Sequence, residues 1–336
     1  MTVTIRVEPS GHEFTAEEQE TVLEAALRHG LAFPYGCRDG LCGSCKGQVL
    51  EGHFEDVGEP KALSELEKSR GYALFCRARP VTDMAVKVRE ITGAGDIRPR
   101  MLPCRIARMA PLSHDVMGMW LKLPASQSLQ YLAGQYVDVL LRDGRRRSYS
   151  MANAPHNDEF LEFHIRYVPG GAFTEQVFHQ LKEKAVLRIE GPLGGFYLRE
   201  ESDRPLIFVA GGTGFAPIKA MLEHALAEGI QRPVALYWGV RALRDLYLDA
   251  LPRQWAQDNP DFSYVPVLSE PAPEDRWQAP SAFVHQAVLK DHPDMSGYDV
   301  YASGPPVMVD AARETFVAHG LPLENFFSDA FLYAED

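Results

Sequence analysis

The sequence predicts a multidomain α+β protein of three successive parts: a small mixed α+β domain, an antiparallel β-barrel and a Rossmann-like α/β domain. Three observations predict it. A hairpin-and-helix pattern followed by a Gly- and Cys-rich loop runs to about Glu90. Strand patterns with a period of two crowd the stretch from Leu102 to about Leu198. From Pro205 the texture changes to strand, Gly-rich turn and amphipathic helix, the mark of a doubly wound sheet. The domain limits read from these changes are 1–92, 101–199 and 203–336, and 336 residues suit two or three domains.

In the first part, Thr2 to Glu8 alternates as a strand, and His12 to Thr15 pairs with it around Pro9-Ser10-Gly11. Thr15 with Glu18 predicts a capping box. Val22, Leu23, Ala26 and Leu27 follow helical spacing, which Gly30 ends. Met84 to Val88 is a late strand, and Thr92-Gly93-Ala94-Gly95-Asp96 reads as a linker. In the second part the strands are Val116 to Leu123, Tyr136 to Leu141, Leu161 to Tyr167 and Val186 to Glu190. Leu161, Phe163, Ile165 and Tyr167 alternate with polar neighbours, so one face is buried. In the third part Leu206 to Ala210, Val234 to Trp238 and Asp299 to Ala302 are buried strands. The helix after the first carries Ile218, Met221, Leu222, Ala225 and Leu226 on one face.

The net charge of −12 argues against a nucleic-acid partner and suits either plain solubility or a basic face on a protein partner. The N-terminus shows no basic stretch leading into an apolar core, and Pro205 to Ile218 falls short of a membrane span. Five cysteines are too few and too uneven for a secreted disulfide scaffold, so a reducing, cytoplasmic setting is expected.

Four of those cysteines form a pattern. In PYGCRDGLCGSCKG, Cys37, Cys42 and Cys45 are spaced C-x4-C-x2-C, and Cys76 follows after thirty residues. That is the ligand spacing of plant-type [2Fe–2S] clusters, in which soft thiolates hold iron. A zinc site or two disulfides are the alternatives, but zinc sites usually pair two C-x2-C units and only one is present. Gly36, Gly40 and Gly43 would let the loop wrap closely around a cluster. Cys104 stands apart.

Two further motifs need their context. GRRRSYSMANAP contains Arg147-Ser148-Tyr149-Ser150, and HIRYVPGGAFT contains Gly170-Gly171-Ala172-Phe173-Thr174. VAGGTGFAPIKAML places Gly211-Gly212-Thr213-Gly214 between a buried strand and a helix whose first turn holds Pro217. Read singly, three arginines suit a solvated turn, and a Gly-rich turn that is not GxGxxG is weak. Together, in this order, they resemble the ferredoxin–NAD(P)+ reductase superfamily. The branch is the one with an N-terminal β-grasp [2Fe–2S] ferredoxin domain, to which oxygenase reductase components belong.

The resemblance implies an antiparallel β-barrel FAD domain and a Rossmann-like NAD domain. It implies that Arg147 pairs with the FAD pyrophosphate and that Tyr149 lies against the isoalloxazine. The Ser150 hydroxyl would stand near flavin N5, and Gly170, Gly171 and Thr174 would cradle the pyrophosphate. Gly211, Gly212, Thr213, Gly214 and Pro217 would form the nicotinamide-nucleotide turn, with GPLG at Gly191 to Gly194 at the flavin–nicotinamide boundary. Two departures stand out. Ser303-Gly304-Pro305 replaces the family's Cys-Gly-Pro, and Phe327-Ser328-Asp329-Ala330-Phe331 carries Asp where Glu is common. Phe331 would shield the flavin, or would simply be a core aromatic. Arg241 and Arg244 offer charge for a 2′-phosphate, yet isolated loop arginines are usually surface charges. NADH is therefore expected in preference to NADPH.

The implied activity is electron transfer from NAD(P)H through FAD and the cluster to a separate protein. GCRDGLCGSCKG, GRRRSYSMANAPH, GGAFTEQVF, GFAPIKAM and FSDAF resemble CDP-6-deoxy-Δ3,4-glucoseen reductases, implying a deoxysugar dehydrase as acceptor. A multicomponent oxygenase is equally compatible with the cofactor motifs. A stand-alone flavin reductase and a non-enzymatic electron carrier are the rival readings. Arg38, Asp39 and Lys46, with Glu51, Glu55 and Asp56 beyond, are expected to steer the partner by charge.

Overall fold

The structure, a computed structural model, describes residues 2–31, 33–36, 38–41, 43–88, 97–279 and 281–331. Cys37, Cys42 and the Thr92–Asp96 stretch lie outside these. The chain divides into two compact units, one of residues 1–98 with 194–196, the other of 99–193 with 197–336.

In the first unit, β1 (Val3–Glu8) and β2 (Glu13–Ala16) form the expected hairpin, and α1 (Val22–Arg28) follows. Next come β3 (Lys46–Glu51), β4 (Phe54–Asp56), α2 (Glu65–Ser69), β5 (Tyr72–Leu74), β6 (Ala78–Pro80) and β7 (Met84–Lys87). The main sheet has the order β2-β1-β7-β3-β5, with β1 and β7 parallel, while β4 and β6 form a separate ribbon. Helix α1 buries Val22, Leu23, Ala25 and Ala26 in a core with Ile5, Val7, Phe14, Phe33, Phe75 and Val86. Each large side chain so buried contributes about 1.5–3 kcal/mol.

The capping box is not at Thr15. Thr15 lies inside β2, and the box is made by Thr21 and Glu24: the Glu24 amide donates to Thr21 Oγ1, and the Thr21 amide donates to Glu24 Oε2. Both pairs satisfy the Ser/Thr-x-x-Glu rule. Thr15 is claimed by the β1–β2 ladder, so the helix starts six residues later.

The second unit opens with the barrel: β8 (Arg100–Pro111), β9 (Val116–Lys122), β10 (Tyr136–Leu140), β11 (Arg146–Ser150), β12 (Leu161–Arg166), α3 (Thr174–His179) and β13 (Val186–Leu193). The strand order is β11-β10-β13-β8-β9-β12 with antiparallel ladders throughout. The two outer strands meet where the Ala152 amide donates to Glu162 O and the Glu162 amide donates to Asn153 Oδ1. Leu161, Phe163 and Ile165 face the barrel core, as their alternation requires. His164 is expected to face water but is 5% exposed, because the following lobe covers that side of β12.

That lobe consists of β14 (Leu206–Gly211), α4 (Phe215–Ala227), β15 (Val234–Val240), α5 (Ala250–Asp258), β16 (Phe262–Leu268), α6 (Val284–Asp291), β17 (Asp299–Gly304), α7 (Pro306–Ala318) and β18 (Phe326–Ala330). All five strands are parallel, in the order β16-β15-β14-β17-β18. The order reverses at β14, so the C-terminal ends of β14 and β17 flank the crevice where such sheets bind ligands. The FFSDA stretch, read as a terminal motif, is the fifth strand. Among the described residues no helix is long and apolar enough to cross a membrane.

Candidate functional site

Each unit carries candidate binding residues of its own. In the first, Cys45 and Cys76 are 3% and 6% exposed, inside the core that holds Phe33 and Phe75. Their segments are tied together, the Phe75 amide donating to Cys45 O at 3.0 Å. The loop before Cys45 needs left-handed backbone at Arg38, Gly40 and Gly43, with φ of 62°, 74° and 75°. At Gly40 a Cβ would also stand 2.9 Å from Arg77 Cγ. Arg77 in turn braces the loop by donating to Asp39 O at 3.1 Å. A buried thiol at the end of a loop of this shape, with a second on the segment tied to it, fits the sulfur ligation of an iron–sulfur cluster. Lys46, expected to steer partners, is instead held by Glu67 at 2.5 Å with its side chain 11% exposed. Burial alone would raise the Glu67 carboxyl, but the ammonium and the Ser64 donors hold it below its usual range.

In the second unit, β11 pairs with β10 so that Val137 faces Tyr149 and Tyr136 faces Ser150. The Tyr149 ring lies 5.4 Å from that of Phe173 at the start of α3. Burial pushes the Tyr149 phenol up, so it stays neutral. The three arginines have different surroundings: Arg145 pairs with Asp143, Arg146 with Glu190, and Arg147 Nη1 donates to Arg146 O. The GGAFT turn is braced from within. Gly170 N–H donates to Glu175 Oε1 and Gly171 N–H to Val168 O, while Thr174 Oγ1 donates to Val168 O at 2.9 Å. In this structure those groups shape the turn that sets the start of α3.

The nicotinamide-side turn follows β14 as a short 3-10 stretch, Gly212–Gly214, leading into α4, where Pro217 lies in the first turn. A Cβ at Gly214 would lie 2.0 Å from Ser303 O, so only glycine fits between β14 and β17. Trp238 Nε1 donates to Gly212 O at 2.9 Å, and its indole stacks on Phe215 at 4.0 Å. Ser303 pairs with Ala210 on one side and with Asp329 on the other. Ser150 Oγ reaches Asp329 Oδ2 at 3.5 Å. The fold thus brings Ser150, Ser303 and Asp329 to one edge of the parallel sheet. Ser303 Oγ is fully buried and among the described residues has no hydrogen-bond partner, an orphan hydroxyl that a nicotinamide nucleotide at this edge would satisfy. The ladder continues beyond β18, with Phe331 N–H donating to Gly304 O at 2.8 Å, and Phe331 is half-buried. Arg241 and Arg244, after β15, are both exposed.

Sequence reasoning missed a buried network between the barrel and the nucleotide lobe. Lys219 of α4 is 6% exposed, and its ammonium donates to Ala152 O (2.9 Å), Glu162 Oε2 (3.1 Å) and Glu223 Oε1 (2.7 Å). Glu162 Oε1 lies 2.9 Å from His164 Nε2, and His164 Nδ1 lies 3.0 Å from the Tyr247 hydroxyl. Burial holds His164 below its ordinary value and pushes Tyr247 well up, so both are neutral. A carboxylate only accepts, so the assigned tautomer is Nε2–H to Glu162 with the Tyr247 hydroxyl donating to Nδ1. No local pattern announces this network, since its members come from β12, α4 and the segment after β15.

Comparison with known proteins bears on all three parts. The 2Fe-2S iron-sulfur cluster binding domain family matches residues 5–81, the oxidoreductase FAD-binding domain family 103–197, and the oxidoreductase NAD-binding domain family 208–314. The CDP-6-deoxy-L-threo-D-glycero-4-hexulose-3-dehydrase reductase of Yersinia pestis is 40% identical over 332 residues, 99% of each chain. This chain belongs to the ferredoxin–NAD(P)+ reductase superfamily, in its N-terminal [2Fe–2S] branch. Within that superfamily it is also similar to the phenol 2-monooxygenase reductase component of a Pseudomonas species, 34% identical over all of this chain and 96% of the other. Among solved structures, an Amycolatopsis cytochrome P450 reductase has a TM-score of 0.76 at 35% identity, covering 98% of this chain and 99% of that one. As a member of this branch the chain is an NAD(P)H-dependent iron–sulfur flavoprotein oxidoreductase that passes electrons by way of FAD and a [2Fe–2S] cluster to a protein acceptor.

Proposed function

We propose that the acceptor is the dehydrase of a CDP-6-deoxyhexose, and that NADH is the electron donor. The observation that carries the acceptor is the 40% identity, end to end, with the Yersinia reductase, against 34% with the phenol 2-monooxygenase component. The choice of NADH rests on Arg241 and Arg244 both being exposed loop arginines, which are usually surface charges. We take residues 1–92 as the cluster domain, 101–199 as the flavin domain, 203–336 as the nucleotide domain and the cytoplasm as the setting.

Bound FAD supplies the exchange between a two-electron hydride donor and single-electron acceptors. The chain's own work is placement. Cys37, Cys42, Cys45 and Cys76 hold the cluster. Arg147 supplies a planar cation to the flavin pyrophosphate, and Gly170, Gly171 and Thr174 shape the helix start beside it. Tyr149 backs the flavin ring. Ser150, steadied by Asp329, presents its hydroxyl where the reacting edge of the flavin would lie. Gly211, Gly212, Thr213, Gly214 and Pro217 shape the nucleotide turn, while Ser303, Gly304 and Pro305 line the opposite side. Phe331, half-buried at the end of the β17–β18 ladder, would shield the flavin ring. No side chain has to transfer a proton for hydride to move.

The test is reconstitution. Purified reductase, NADH, the dehydrase and its CDP-6-deoxy-4-hexulose substrate should give NADH oxidation coupled to sugar reduction. The matching assay with an oxygenase component is run alongside. Coupling only with the oxygenase would overturn the dehydrase assignment and favour the second reading, which the likeness to the P450 reductase supports.

A further inference from the structure

Away from the flavin and nucleotide surfaces, three side chains with metal-ligating atoms converge. One ligand atom from each of His156, His224 and Glu228 lies within 4.8 Å of the other two. His156 sits on the loop between β11 and β12, and His224 and Glu228 stand one turn apart at the end of α4. The group therefore spans the barrel and the nucleotide lobe. Two imidazoles and a carboxylate are a donor set that zinc-class ions take, with water completing the shell.

Three observations go beyond the coincidence of donors. First, His224 is oriented from behind, its Nε2 lying 2.8 Å from Glu200 Oε1. A carboxylate backing the imidazole is the usual outer support of a metal-binding histidine. With Nε2–H given to Glu200, the lone pair is on Nδ1, which is buried and has no hydrogen-bond partner among the described residues. Second, the loop carrying His156 is pinned. Ala154 N–H donates to Glu223 Oε2 at 3.3 Å, and Asn153 Nδ2 donates to Asn157 O (2.7 Å) and Phe160 O (2.9 Å). The two imidazole rings already stack at 6.5 Å and 29°. Third, Glu228 is the C-cap of a thirteen-residue helix, whose negative end favours a cation. Ligand atoms on a tetrahedral zinc stand about 3.3 Å apart, given bonds of about 2.0–2.1 Å. His156 and Glu228 are exposed, so theirs are the side chains that would have to turn inward to reach that spacing.

We propose that His156, His224 and Glu228 bind a divalent transition-metal ion of the zinc class, and that the bound ion staples the loop after β11 to the end of α4.

The experiment titrates the holoprotein, with FAD and cluster loaded, with Zn²⁺ against a competing indicator, and with Co²⁺ followed by its visible ligand-field absorption. The expected result is one equivalent bound and a melting temperature raised by Zn²⁺. His156→Ala and Glu228→Gln should each weaken binding at least about tenfold, and Glu200→Gln by about 10–100-fold, the usual effect of losing the outer support. Without added metal, His156→Ala should oxidise NADH with ferricyanide as the wild type does, which shows that the variant is folded. If the wild type binds no Zn²⁺ at millimolar concentration, the proposal is overturned. It is equally overturned if folded His156→Ala binds one equivalent as tightly as the wild type.

Discussion

Ser150 and Asp329, 179 residues apart, meet across 3.5 Å, the hydroxyl at the end of β11 donating to the carboxylate in β18. In the adjacent strand, Ser303 is the register partner of that same Asp329. The contact joins the barrel to the last strand of the parallel sheet, so the edges that would receive flavin and nicotinamide are positioned against each other.

The first prediction concerns that contact. Ser150→Ala should slow flavin reduction by NADH up to about tenfold, the usual worth of one hydrogen bond, because the hydroxyl that donates to Asp329 can only accept from the flavin edge. Asp329→Asn should cost less, because it leaves the hydroxyl present but less firmly held. Anaerobic stopped-flow at the flavin absorbance separates the two. Unchanged rates in both variants would remove this pair from the mechanism.

Cys76→Ser should abolish the cluster and leave the flavin. Iron and sulfide should fall to background and reduction of the protein acceptor should cease. NADH oxidation by ferricyanide, which needs only the flavin, should persist. Retention of stoichiometric iron would exclude Cys76 as a ligand.

Gly214→Ala should damage the nucleotide turn. The new methyl would fall 2.0 Å from Ser303 O, a backbone atom that cannot step aside alone. A cost of about 1–3 kcal/mol is expected for such overpacking, with a raised KM for NADH. Thermal unfolding and steady-state kinetics check the two effects separately.

The Glu162–His164–Lys219 network predicts a pH dependence of stability. Burial, partly opposed by Glu162, holds His164 below its ordinary 6.5, so between that lowered value and 6.5 the folded chain binds fewer protons than the unfolded one. Stability therefore rises with pH through this window and is lost as pH falls below 6.5. Glu162 adds a second, lower step. Burial would raise its carboxyl, but His164 and Lys219 outweigh this and hold it below 4.5, so its contribution is lost as pH falls through that lowered value. Urea midpoints between about pH 2 and pH 8 should show both steps, and His164→Gln should remove the upper one and shrink the lower, since His164 helps to hold the Glu162 carboxyl down. A flat profile above about pH 5 would contradict this account.

What could be read in advance follows from how local each signal is. The period-two alternation of Leu161, Phe163 and Ile165 marks a barrel strand, and the helical spacing around Val22 marks α1, because each pattern is set by neighbours a few residues away. The cysteine spacing and the GGTG turn are likewise local, since a cluster or a pyrophosphate constrains consecutive backbone. The capping box was misplaced by six residues because Thr15-Glu18 and Thr21-Glu24 satisfy the same local rule. Strand pairing with β1 decided between them. FFSDA was legible as a motif but not as a strand, since its partner, β17, lies more than twenty residues upstream.

The sequence by itself determined the three-part order, the cofactor-binding types and the thiol, glycine and serine positions. Tertiary structure alone decided that Ser150, Ser303 and Asp329 share one edge, that Lys219 is buried against Glu162, and that His156 faces the end of α4. Those relationships are set by packing between elements distant in sequence. Burial turns an otherwise ordinary lysine, histidine or serine into a group that must be matched by a partner.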